Sequence, residues 1–101
     1  MIRYHFQFKP TVPFEEIDGN LMLFTLAAEC IHGRTKVRLE ARFEASRKDN
    51  TCWIDAGTEV GEHIALMFSG IMAYLFGERS FKVKREVIED AIVTSGEGVA
   101  S

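Results

Sequence analysis

Two long stretches of this sequence, Pro13 to His32 and Thr58 to Gly77, are rich in large apolar residues and contain no lysine or arginine. On a helical wheel at about 100° per residue, Val60, Ile64, Ala65, Met67, Phe68, Ile71, Met72, Tyr74, Leu75 and Phe76 of the second stretch fill an arc of roughly 200°. Phe14, Ile17, Leu21, Leu23, Phe24, Ala27, Ala28, Cys30 and Ile31 of the first stretch fill one about as wide. A helix lying on a sheet needs only about 100° of apolar circumference, or a little more. Whatever these helices fold onto must therefore hide an unusually broad greasy surface.

The first helix is expected from Pro13, with Glu15 and Glu16 complementing the positive end of its dipole, to His32, with Gly33 as its stop. Asp18, Gly19 and Asn20 interrupt the pattern, which allows the regular helix to begin only at Asn20. For the second helix Thr58 is the expected N-cap, the body runs to Phe76, and Gly77 is the stop.

Between and around them the period changes to two. Ile2, Tyr4, Phe6 and Phe8 alternate with Arg3, His5, Gln7 and Lys9, which predicts a strand buried on one side. Val37, Leu39, Ala41, Phe43 and Ala45 alternate with Lys36, Arg38, Glu40, Arg42 and Glu44, which predicts a long strand over 35–46. The polar run Arg47 to Asn50 turns it into a short strand, Thr51 to Asp55, and a last strand covers Phe81 to Glu86. The order β-α-β-β-α-β with right-handed crossovers predicts an α+β, ferredoxin-like two-layer sandwich: a four-stranded antiparallel sheet with two helices on one face. A chain of 101 residues supports one core, so a single domain over 1–93 is expected. Residues 87–93 read as either a short helix or an edge strand, and 94–101 as a frayed tail.

Composition narrows the function classes. With 47% apolar and 27% charged residues the chain is too apolar for disorder, and its net charge of −3 gives no global attraction for DNA or anionic lipid. The start MIRYHFQFKP lacks the basic and apolar blocks of a signal peptide, and the charge-free run between Glu62 and Glu78 falls short of a membrane span. Cys30 and Cys52 form no C-x-x-C pair, and a reduced, cytoplasmic setting is expected.

Three functional readings follow. The first is a non-enzymatic binding or assembly domain, dimeric or larger, whose partner is another copy of itself or a different protein. Its surplus apolar surface is expected at Val60, Ile64, Met67, Phe68, Ile71, Met72, Leu75 and Phe76, together with Leu23 and Phe24. Gly61 within this arc suits either close approach of a partner or packing on the sheet.

The second reading is a weak single-stranded nucleic-acid binder. It places Arg3, Arg38, Arg42, Trp53, Lys82 and Lys84 on the open sheet face, where Lys9, Lys36 and His5 add to a local basic excess over Glu40, Glu44, Asp55 and Glu86. NTCWIDAG does not match the base-stacking motif of RNA-recognition modules, and alternating charges also serve as plain cross-strand pairs. A five-residue strand leaves the direction of Trp53 open.

The third reading is a small enzyme with a site at the entrance of the second helix or in a subunit crevice. Asp55, Glu59 and His63 lie near that entrance, and Gly57, Thr58 and Gly61 offer amides for an anion. No G-x-S-x-G, H-E-x-x-H or P-loop pattern is present, so no catalytic residue is assigned. Cys30, His32, Cys52 and His63 lack metal-ligand spacing, and neither a metal nor a cofactor is expected. His32 suits hydrogen bonding at a helix C-terminus.

Overall fold

The computed structural model describes residues 2–88. Its elements are β1 (Ile2–Phe8), α1 (Phe14–His32), α2 (Arg34–Glu40), β2 (Phe43–Ser46), β3 (Thr51–Asp55), α3 (Glu59–Phe76), a 3-10 turn (Glu78–Ser80) and β4 (Phe81–Val87). The four strands form one antiparallel sheet in the order β2-β3-β1-β4, which fits the ferredoxin-like arrangement, packed with three helices. The expectations for the 89–93 segment and for a tail from 94 lie outside the described residues.

Register fixes which side chains share a face. Phe6 lies opposite Cys52 on β3 and Val83 on β4, and Phe8 lies opposite Phe81. The alternate residues of β1 therefore build the core with Ile54, as the period-two pattern requires. Phe68 of α3 meets the rings of Phe6 and Phe8 edge-on at 5.1 and 6.0 Å, the favoured geometry for aromatic quadrupoles. Ile17, Leu21 and Ala28 of α1, Val37 of α2, and Val60, Ile64, Ala65 and Met72 of α3 complete the buried cluster.

Two expectations require correction. Residues 34–40 are a helix, and β2 is reduced to Phe43–Ser46. Positions 37, 39 and 41 were read as one strand face, yet Val37 is buried while Leu39 is 70% exposed. Val37 and Ala41 are four apart, so the same letters also describe one side of a helix, and the Ala41 amide donates to the Val37 carbonyl. Arg, Lys, Leu and Glu are good helix formers and Gly33 has just released the chain from α1, so local propensity favours the turn. In addition, α1 runs unbroken through Asp18, Gly19 and Asn20. The Asn20 amide donates to the Glu16 carbonyl and reaches Met72 Sδ on α3, so it stays within the helix instead of breaking it.

The stops and cap fall where the sequence places them. Gly33 and Gly77 both have φ of 88°, a left-handed conformation natural to glycine. Thr58 Oγ1 accepts the Gly61 amide at 3.0 Å. Asn50 closes the β2–β3 turn with φ of 53°, and its side-chain amide donates to the carbonyls of Lys9 and Val12. Arg47 of the same turn donates to Glu15 at 2.8 Å and lies over the ring of Phe14, pinning the hairpin to the start of α1.

Candidate self-association surface

The sides of α1 and α3 that meet the sheet are fully occupied. Ile17, Leu21 and Ala28 set the inner side of α1, and Val60, Ile64, Ala65, Phe68 and Met72 set that of α3. Four residues expected on a self-association surface, Val60, Ile64, Phe68 and Met72, are therefore core residues with 0% exposure and are removed from it. Phe24, Met67, Ile71 and Phe76 are partly buried against the same core, and only Leu23 and Leu75 of the ten stand exposed.

The surplus emerges mainly on α1. Met22, Leu26 and Ile31 are 60%, 60% and 65% exposed, and Leu23 lies beside them. Met22, Leu26 and the exposed Cys30 are four apart, which aligns them in one row along the helix. Leu66, Tyr74 and Leu75 are exposed on α3, and Leu39 on α2. The row lies away from Ile17, Leu21 and Ala28, the positions that bury α1, and its members Met22 and Leu26 fall outside the apolar arc read from the sequence. A wheel alone could not say which part of its wide arc the sheet would take.

The open face of the sheet has a different character. Trp53 lies on it, opposite His5 on β1 and Glu44 on β2, which settles its direction. Arg3, Lys82 and Lys84 share this face with Glu44, Asp55 and Glu86, three cations against three anions within the strands. Arg42 precedes β2, and Arg38 and Lys36 belong to α2, so the basic excess expected for the strands is not there. Arg3 Nε donates to Glu86 at 2.9 Å while its guanidinium sits 5.2 Å from the Trp53 ring centre. That hydrogen bond holds the Glu86 carboxyl below its ordinary range.

The entrance of α3 is filled by the chain's own acceptors. The Val60 amide donates to Glu40 Oε1 at 3.4 Å, the Gly57 amide to Asp55 Oδ1 at 2.8 Å, and the Gly61 amide to Thr58. A Cβ on Gly61 would fall on the Asp55 carbonyl, so this glycine serves the packing of α3 on the end of β3. Glu59 receives a hydrogen bond from Lys36 at 2.7 Å, which lowers its own pKa and raises that of Lys36.

His32 and His63, distant in sequence, meet between α1 and α3 with Nε2 and Nδ1 2.8 Å apart. The ring centres are 4.9 Å apart, longer than the N···N distance by nearly two ring radii, so the nitrogens face each other almost head-on. One imidazole donates and the other accepts. Glu59 lies 3.9 Å from the other nitrogen of His32. Cys30 is exposed and Cys52 buried, both as free thiols. Among the described residues no group of three His, Cys, Asp or Glu is placed to hold a metal ion. Burial pushes the Cys52 thiol up to about 12.

Among the described residues no helix is long and apolar enough to cross a membrane. Comparison of the chain with protein-family models, with curated proteins and with solved structures gives no match in any of the three.

Proposed function

We propose that this chain is a non-enzymatic assembly domain that pairs with a second copy of itself through the outer side of its helices. The observation that carries the reading is the exposed row Met22, Leu26 and Cys30, with Leu23 beside it. Isolated exposed leucines are ordinary on soluble proteins, whereas a contiguous apolar strip is usually covered. Twofold self-association is the commonest cover.

A membrane surface fits poorly, because interfacial helices carry Lys or Arg on their polar flanks and α1 carries Glu15, Glu16, Asp18 and Glu29. The nucleic-acid reading loses ground to the balanced charges of the sheet face and to Arg3, which is engaged with Glu86 and Trp53. The enzyme reading loses ground to the filled entrance of α3.

The test is mass in solution. Light scattering of the full chain at micromolar concentration is expected to give a dimer, and Leu26→Glu is expected to give a monomer with an unchanged circular-dichroism spectrum. A native chain that stays monomeric at the highest soluble concentration overturns the proposal.

A further inference from the structure

We infer that His32 and His63 form an acid-released latch, which fastens the corner between α1 and α2 to the first half of α3 and lets go when both rings carry a proton. The latch lies within one chain and needs no second copy.

It is built where the backbone changes direction. His32 is the last residue of α1, Gly33 turns the chain with φ of 88°, and α2 starts at Arg34. His63 lies early in α3, and its Nδ1 stands 2.8 Å from Nε2 of His32. The His32 side chain is 8% exposed, so the contact sits largely out of water. His5, the third histidine, lies on the sheet opposite Trp53 and Lys84 and takes no part.

The number of protons decides what this contact does. With both rings neutral, one nitrogen donates and the other accepts. A first proton keeps the bond and makes it charge-assisted, because one ring still presents a lone pair. A second proton leaves an N–H on each side of the 2.8 Å gap, with two cations in a half-closed space, and the bond is lost.

The charges around the rings come from all three helices. From α3, Glu59 stands 3.9 Å from Nδ1 of His32, and Lys36 of α2 donates to the same carboxylate. From α1, Glu29 stands three residues before His32, on the same side of the helix. Arg34 and Glu62, close in sequence to the two rings, are exposed. The carboxylates ease the entry of positive charge, but they do not relieve the clash of two N–H groups across the gap.

An unfolded chain binds a proton on each of the two histidines below their ordinary value of about 6.5, whereas the folded chain with the latch closed binds one. The stabilisation is therefore fully present above that value. As pH falls below it, the folding constant drops by up to about tenfold per pH unit until the latch opens.

The test replaces the rings by amides of matching reach. His32→Gln puts an amide where Nε2 stands and His63→Asn puts one where Nδ1 stands, so the two together keep a hydrogen bond that protons in this range do not break. In urea titrations of the full chain, the native folding constant is expected to fall about tenfold more between about pH 7 and pH 5 than that of the double variant, as fits the loss of one hydrogen bond. Nitrogen-15 spectra of the native chain give a reading that needs no variant. The scalar coupling across the N–H···N bond is expected at about pH 7.5 and is expected to vanish by about pH 4.5, with faster amide exchange in α2. Equal pH dependence of the native chain and the double variant overturns the latch, and so does a coupling that persists at the acid end.

Discussion

The two long helices have the same lack of cations and similarly wide apolar arcs, yet they end in different situations. α3 lies with Phe68 on the aromatic centre of the sheet and buries Val60, Ile64, Ala65 and Met72 around it. α1 buries Ile17, Leu21 and Ala28 and leaves Met22, Leu23, Leu26 and Ile31 in solvent. The more apolar helix is therefore the better covered one. Which side of a helix stays exposed is decided by where the sheet leaves off, and the helix's own hydrophobicity is a poor guide.

The sharpest way to break this comparison is to truncate one side chain on each helix. Phe68→Ala is expected to cost about 3–5 kcal/mol of unfolding free energy, because it removes a fully buried ring contacting Phe6 and Phe8. Leu26→Ala is expected to change the stability of the isolated subunit by about 0.5 kcal/mol or less while weakening the dimer. Urea titrations run under dissociating conditions separate the two, and equal losses would show that α1 is not a free surface.

Next in size is Gly61→Ala. The added methyl meets the backbone carbonyl of Asp55, which cannot rotate away as a side-chain tip can. A loss of about 1–3 kcal/mol is expected, measured by the same titration, even though alanine has the better helix propensity. A stabilised variant would mean that α3 stands further from β3 than described.

The two cysteines sharpen the contrast without any mutation. Cys30 on the exposed row is expected to react with a thiol reagent at pH 8 within minutes, whereas Cys52, buried with its thiol pushed up to about 12, reacts only on unfolding. If pairing covers the row, the rate at Cys30 falls as protein concentration rises. Two thiols of equal rate would contradict the buried position of Cys52.

The smallest effect concerns the link between α2 and α3. Lys36 holds the Glu59 carboxyl below its usual 4.5, so the folded state releases that proton more readily than the unfolded chain does. The resulting stabilisation is present above the unfolded value and disappears as pH falls through the lower folded one. Glu59→Gln is expected to lower stability slightly near pH 7 and to converge with the native chain as pH falls below about 4.5, so that its acid limb is flatter, as read from thermal melts. An unaltered acid limb would assign the pair no role.

Much of the framework was legible in the residues themselves. The alternation of Ile2 to Phe8 gave β1 its buried side, Thr58 named its own cap, and Gly33 and Gly77 marked both helix ends. Segment 34–40 was misread because Val37 and Ala41 satisfy a period of two and a helical step of four at once. The His32–His63 contact was invisible for another reason: it depends on how α1 and α3 pack, a relation also marked by Asn20 against Met72 and absent from any local window. Val60, Ile64, Phe68 and Met72, expected on an outer surface, proved to be core, because an arc has no marker for the portion a sheet will cover, and exposed Met22 and Leu26 lie outside the arc altogether.

The borders of the described sheet are poor templates for a further strand. One border strand, β2, has only four residues, and the other border strand among the described residues, β4, carries Lys82, Lys84 and Arg85. Brevity on one side and crowded positive charge on the other discourage further chains from adding by backbone pairing. Both features work against growth by strand addition at the described edges.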